Sequence, residues 1–182
     1  MKLTIITPCY RPDNLKTMIS SINPPDMQIR WVIVFDSAYV PPLELPEYAE
    51  AYCYQDSKSI CGNAQRNFAL NLLKNDETYI LFLDDDTIMH PRLLANLKGF
   101  EWSDFIHFNQ SHSDGRHRIG GTVKVNHIDT GSAVINSRLI RKTRWILDRR
   151  NADGYFMEEI FKKSKSAYYI NETLSIYNAL KK

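Results

Sequence analysis

The sequence has no long apolar run. Nowhere do about eighteen apolar residues stand together, so no membrane-spanning helix is expected. The first residues, Met1-Lys2-Leu3-Thr4-Ile5-Ile6-Thr7-Pro8, enter a strand at once and lack the apolar core of a secretory signal. A soluble, cytoplasmic chain is the expectation. Charge of either sign is not in excess: 23 Lys plus Arg stand against 21 Asp plus Glu, a net of +2. That balance speaks against a general nucleic-acid binder. Cys9, Cys53 and Cys61 are odd in number and lack metal-ligand spacing, so free thiols are expected rather than a disulfide frame or a zinc site. There is no internal repeat, low-complexity tract or linker. No Ser–His–Asp or Cys–His pattern suggests a covalent nucleophile. What remains is a chain of 182 residues, 43% hydrophobic and 24% charged, enough for one folded domain.

The most telling stretch is Tyr79-Ile80-Leu81-Phe82-Leu83-Asp84-Asp85-Asp86. An unbroken apolar run reads as a strand buried on both faces, as in a mostly parallel sheet. It ends in three adjacent carboxylates, which repel one another unless positive charge sits among them. Leu3 to Thr7 and Trp31 to Phe35 are similar apolar strands. Between them, Leu15, Met18, Ile19 and Ile22 recur with helical spacing, and Asn23-Pro24-Pro25 stops that helix. Strand, helix and strand make a βαβ unit. Ala49 to Tyr54 reads as a weaker strand, and Asn63 to Lys74 as a helix ended by Asn75-Asp76. Pro91 opens another helix. Asp104 to Phe108 reads as a strand and Asn109 to Ile119 as a polar surface loop. Gly121 to Asn126 alternates like a strand. Gly131 to Asn136 reads as a turn plus strand, and Asp153 opens a helix. Ala167 to Ile170 and Leu174 to Tyr177 read as two short strands. The fold class is therefore α/β: one Rossmann-like domain over residues 1–182, with a regular N-terminal half (about 1–90) and a more irregular C-terminal half (about 91–182).

In such a sheet the strand ends share one rim, where ligands bind. Thr7-Pro8-Cys9-Tyr10, Asp36-Ser37 and Asp84-Asp85-Asp86 would stand side by side there. Tyr10 offers a ring for a base, Asp36 an acceptor for base or ribose, and Asp84 and Asp86 face one side. A divalent cation bridging a diphosphate would relieve the acidic triplet. Together these describe a nucleotide site.

Four blocks of this sequence resemble family 2 glycosyltransferases of the GT-A fold, in order. They are Ile5 to Arg11, Val32 to Ser37, Gly62-Asn63-Ala64-Gln65-Arg66-Asn67, and Phe82 to Pro91, which is similar to that family's DxD motif. Asp129-Thr130-Gly131-Ser132 and Ala152-Asp153-Gly154 resemble its acceptor-side and catalytic-base segments. The resemblance implies an inverting, metal-dependent glycosyltransferase, hexosyl or N-acetylhexosaminyl in type. Its donor would be a nucleotide sugar, UDP-linked by preference, and its acceptor a glycan, lipid-linked or other hydroxyl. It implies that Thr7, Tyr10 and Asp36 bind the nucleoside, that Arg66 reaches the base or diphosphate, that Asp84 takes the ribose, and that Asp86 ligates Mn²⁺ or Mg²⁺. Asp85 is the middle residue of the same donor motif. Asp153 would be the general base.

Two departures leave alternatives open. The second strand ends in Phe35-Asp36-Ser37, where the family often has paired acids and a glycine. The base segment is a single acid, with Glu158 and Glu159 a helical turn later as other candidates. His127 is a candidate third metal ligand. Arg116 and Arg118 could close over a diphosphate, and Trp145 could stack on a sugar or fill the core. A nucleotidyltransferase of similar fold is the competing enzyme class. It would want a glycine- and lysine-rich loop after the first strand, where this chain has Pro8-Cys9-Tyr10-Arg11-Pro12. A non-catalytic sugar-nucleotide or glycan-binding module is the third reading.

Overall fold

The apolar runs form the middle of one twisted sheet. A computed structural model describes residues 1–22, 27–42, 44–74, 78–119 and 121–180. The elements in order are β1 (Lys2–Cys9), a 3-10 turn (Pro12–Asn14), α1 (Leu15–Ser21), β2 (Gln28–Phe35), β3 (Ala49–Cys53), α2 (Asn63–Asn71), β4 (Tyr79–Phe82) and β5 (Ile88–Met89). There follow α3 (Leu93–Leu97), β6 (Phe105–His112), β7 (His117–Ile119), a 3-10 turn (Thr130–Ser132) and β8 (Ala133–Asn136). A further 3-10 turn (Ser137–Leu139), α4 (Ala152–Lys163) and β9 (Ala167–Tyr177) complete it. The helix ends expected at Asn23-Pro24-Pro25 and Asn75-Asp76 lie outside the described residues.

The strand order is β3-β2-β1-β4-β8-β6-β9-β5, with β7 on β6. The pairs of β1 with β2, β1 with β4 and β2 with β3 are parallel, as the βαβ reading requires. Beyond β4 the sheet becomes mixed: β8 runs antiparallel to β4 and β6, while β9 runs parallel to β6. Side chains alternate between faces with period two. Leu3, Ile5, Trp31, Ile33, Tyr79 and Leu81 join α1 and α3 in one core layer. Ile6, Val32, Val34, Ile80 and Phe82 join α2 and α4 in the other. Helices on both faces make both sides of the central strands apolar, which is why these strands read as unbroken runs.

Three expectations change. Asn109 to His112 is the end of β6 rather than loop. Its polar side chains hide the strand pattern, and pairing with β7 and β9 supplies it. Gly121 to Asn126 is irregular and turns at Asn126, whose φ is +65°. There the alternation reflects Val123 filling the core, not a ladder. Finally, β9 is one strand of 11 residues, carried through polar Asn171-Glu172-Thr173 by register shifts against β6.

Candidate active site

The parallel half of the sheet brings Tyr10, Asp36 and the acidic triplet to one rim. Backbone bonds fix that rim: Asp36 N donates to Cys9 O at 3.1 Å and Leu83 N to Ile6 O at 2.9 Å. Two cavities open there and share Tyr10. One, of about 190 Å³, lies against Pro12, Phe35, Asp36, Ser37 and Tyr39. The other, of about 350 Å³, is walled by Arg11, Arg66, the acidic triplet and Asn178 among others.

The three acids do different things. The Asp85 carboxylate is buried and turned back into the chain. It accepts the Tyr10 and Arg11 backbone N–H groups, each at 2.7 Å, and the Arg11 guanidinium by both Nε, at 2.9 Å, and Nη2. Its carbonyl takes Asn14 Nδ2 at 2.9 Å. Its acceptor positions are thus engaged by the chain's own donors, and it clamps the β1 loop. Asp84 pairs with Arg66 Nη2 and keeps a partly exposed carboxylate. Asp86 is nearly buried, with Arg11 Nη1 at 3.1 Å. Burial, then the charge of Asp84, push its carboxyl above the usual range.

Arg66 is held in place by the start of α2. Gly62 caps that helix with φ +75°, and a side chain there would meet Pro8 Cβ at 2.6 Å. Only glycine lets the helix start approach β1 so closely. Arg66 Nη1 donates to Cys61 O at 2.6 Å, and its guanidinium lies 5.6 Å from the Trp145 ring centroid. Burial disfavours its charge, but Asp84, then Asp153 and Asp129, more than compensate. Asp153, in the first turn of α4, stands within the field of Asp129, Arg66 and Asp84. Burial first, and Asp129 second, raise its carboxyl to about 6. Gly154 beside it lets α4 pack against Val125, where a side chain would sit 3.0 Å from the Val125 Cα.

Thr7 is buried, and its Oγ1 accepts Trp31 Nε1 at 2.9 Å, so its side chain faces the core. Glu158 ion-pairs with Lys162 and accepts Val125 N. Glu159 ion-pairs with Lys163 and accepts the Thr143 hydroxyl. Neither glutamate, nor Asp153, lines the two cavities; Asp153 differs in standing within the field of Asp129, Arg66 and Asp84. Trp145 is core, stacked on Phe156 with centroids 3.5 Å apart. Arg116 pairs with Asp114 on the surface. The Arg118 side chain lies outside the described residues. His127 is exposed.

Sequence reasoning assigned no role to Gln65, Arg11, Tyr177 or Asn178. Gln65 is buried and donates to Asp36 Oδ1 at 3.1 Å and Tyr54 O at 2.9 Å, fixing the carboxylate beside Tyr10. The spacing Gly62-x-x-Gln65-Arg66 puts it on the α2 turn facing the rim, a signal the quoted block already held. Tyr177 and Asn178 reach the second cavity from the end of β9, while the N–H groups of Ala179 and Leu180 cap Asp86 O. No local pattern marks that return of the chain.

Among the described residues no three His, Cys, Asp or Glu side chains form a metal cage. The donor set still fits a hard cation. Asp84 and Asp86 line one cavity, and Asp86 carries buried charge that Arg11 only partly offsets. Two carboxylates completed by phosphate and water suit Mg²⁺ or Mn²⁺.

No protein-family model matches the sequence, and no curated protein matches it. Solved structures do. TarS of S. aureus superposes with a TM-score of 0.79 at 16% identity, over 97% of this chain and 36% of TarS. TarS 1–349 in complex with UDP-GlcNAc gives 0.69 at 14% identity, over 97% of this chain and 58% of that one. Mannosyltransferase PcManGT from Pyrobaculum calidifontis, in complex with GDP-Man and Mn²⁺, gives 0.68 at 13% identity, over 99% and 57%. The chain thus spans between about a third and three fifths of these neighbours. At such identities the likeness establishes the fold, and that fold is the GT-A-like α/β fold of glycosyltransferases.

Proposed function

We propose that this chain is the catalytic domain of an inverting, metal-dependent glycosyltransferase. In this reading residues 1–90 hold a nucleotide sugar and residues 91–182 bring the acceptor and the base. The observation that carries it is the pair of cavities joined at Tyr10, one bounded by Asp36, the other by Arg11, Arg66, Asp84 and Asp86. An aromatic edge beside a carboxylate suits a nucleoside base, and paired cations and acids suit a diphosphate. Neighbours of this fold that bind UDP-GlcNAc and GDP-Man support a nucleotide-sugar donor.

Each side chain then has a task. Tyr10 packs the base and Asp36, oriented by Gln65, accepts its N–H or a ribose hydroxyl. Asp84 accepts from the ribose and holds Arg66. Asp85 is a positioning residue, fixing Tyr10 and Arg11. Asp153, its proton affinity already raised, takes the proton of the acceptor hydroxyl. That oxygen forms its bond to the anomeric carbon from the face opposite the departing diphosphate oxygen, so the configuration inverts. General-base assistance of this kind contributes roughly 10²–10⁴-fold. Arg66 and Arg11 stand where the leaving group's charge grows. Asp86, with Asp84 beside it, would hold Mn²⁺ or Mg²⁺, which would neutralise that charge as a Lewis acid.

A thermal-shift panel of UDP, GDP, UDP-GlcNAc and GDP-Man, with and without Mn²⁺ or Mg²⁺, tests the donor assignment. Ligand at about 100 Kd stabilises by about 2.7 kcal/mol, a rise of about 5–11 °C for a domain of this size. A response needing both nucleotide and metal supports the reading. A metal-independent response, or turnover that releases pyrophosphate rather than nucleoside diphosphate, overturns it.

A further inference from the structure

The opposite end of the sheet carries a feature that glycosyl transfer does not use. β8 runs away from the rim and turns where Ser137 N donates to Thr78 O at 2.9 Å. The next residues, Arg138-Leu139-Ile140-Arg141-Lys142-Thr143-Arg144, are dense in cations. Two cavities meet there at Arg141. The first, of about 310 Å³, has an apolar floor of Leu70, Leu73 and Ile140, and a rim of Lys74, Arg141 and Arg144. The second, of about 490 Å³, adds Arg138, Lys163 and Lys165. Among the described residues, Asp104 pairs with Arg138 and Glu159 with Lys163, while Glu101, beside Trp102, is exposed and accepts Gly99 N at 2.9 Å. In a chain of net charge +2 this is a local concentration.

An aromatic cluster adjoins it. Phe100 and Tyr168 stack with centroids 4.0 Å apart, and Trp102 lies 6.0 Å from Tyr168. Trp102 is 61% exposed, whereas Trp31 and Trp145 are buried. The cluster is tied to the cationic surface: Ser166 Oγ donates to Trp102 O at 3.2 Å, and Lys165 N donates to Asp104 Oδ2 at 2.9 Å.

We infer that this end of the sheet docks on an anionic lipid bilayer. Cations around an apolar floor match a phospholipid, with phosphate at the rim and the glycerol edge below. An exposed indole beside them matches the headgroup layer, where tryptophan concentrates. A nucleic acid or other soluble polyanion uses the charge, and a single strand can stack on the ring, but neither gains from the apolar floor. Docked this way, the donor cavities at the far ends of β1 and β4 open away from the bilayer, toward the water that carries a nucleotide sugar.

The test uses the whole chain with vesicles of phosphatidylcholine alone and with equal parts phosphatidylglycerol. The protein should sediment with the anionic vesicles only, and release as salt shortens the Debye length. Trp102 emission should shift to the blue and be quenched by acyl-brominated lipid, since the other two tryptophans are already buried. Each cation near an anionic surface is worth about fivefold in binding. The double variant Arg141→Glu, Lys165→Glu should therefore bind about 30-fold or more weakly, with melting temperature and nucleotide response unchanged. Equal sedimentation with neutral vesicles, unchanged binding of the double variant, or no binding to either vesicle overturns the inference. So does tight binding to a DNA oligonucleotide in place of vesicles.

Discussion

Asp85→Asn and Asp86→Asn should separate scaffold from chemistry within the acidic triplet. Asp85 accepts two backbone N–H groups and both faces of the Arg11 guanidinium fork. Removing one partner of a buried ion pair costs about 3–5 kcal/mol. Here the low end applies. Arg11 is about a third exposed and keeps Asp86 at 3.1 Å, so its charge is not stranded. Asn keeps an oxygen that can accept both backbone N–H groups but presents an NH₂ to the Arg11 guanidinium, so the lost charge pair sets the cost at about 3 kcal/mol. For a domain of this size that is a fall of about 6–12 °C in melting temperature. Asp86 has the opposite sign. Its carboxyl is raised by burial and then by Asp84. A raised carboxyl stabilises fully below its unfolded value and loses that contribution as pH climbs through the folded value. At pH 7.5 without metal its ionised form therefore strains the fold, and Asn removes that strain. Asp86→Asn should melt at or above wild type in chelator, yet lose the metal-dependent response to nucleotide. Melting curves by circular dichroism at pH 7.5, in chelator and then with UDP and Mn²⁺, read both effects. An Asp85→Asn variant melting within 2 °C of wild type, or an Asp86→Asn variant the less stable of the two, would refute this division.

Asp153 raised to about 6 predicts a rate that climbs through about pH 6 to a plateau, because the base must be ionised. Asp153→Asn should abolish transfer and flatten that limb. It should also raise the melting temperature at pH 7.5 and leave it unchanged at about pH 2.5, where the carboxyl is almost wholly protonated in both states. Glu158→Gln and Glu159→Gln should each keep transfer within about twofold, being tied to surface lysines outside both cavities; a dead Glu158 variant would move the base there. Gly62→Ala adds a side chain at positive φ, 2.6 Å from Pro8 Cβ. It should lower stability by about 2 kcal/mol or more and weaken nucleotide binding by displacing Arg66, with calorimetry of UDP binding as the readout.

Much of the fold was legible because the core strands are apolar on both faces. Trp31 to Phe35 and Tyr79 to Phe82 carry their burial in unbroken runs, and βαβ chirality then fixes the common rim. The second half was less legible for the converse reason. β6 from Asn109 to His112 and β9 through Asn171-Glu172-Thr173 are polar strands held by neighbours far along the chain. Their pairing is a tertiary fact with no local signature. Gly121 to Asn126 shows the reverse error, an alternation produced by core filling and close packing on α4.

The triplet shows how far local pattern reaches at the site. Asp84 and Asp86 were expected to share a side as on an extended strand, and both line the cavity, but β4 ends at Phe82 and the triplet folds as a turn closed by Thr87 N on Asp84 O at 2.9 Å. Asp85, inside that turn, also borders the cavity but directs its carboxylate onto the β1 loop. What stands there depends on how Pro8-Cys9-Tyr10-Arg11-Pro12 folds back, and that is set by Asp85 itself. Its carboxylate gathers the Tyr10 and Arg11 N–H groups just past the end of β1, beyond the last residue paired with β2. The loop that bars a glycine- and lysine-rich phosphate cradle thus needs an acid behind it. Once in place, that acid sets Tyr10 between the two cavities and Arg11 beside Asp86. The middle carboxylate serves the donor site through the loop it folds, which is why Asp85→Asn should be read first by stability and only then by nucleotide binding.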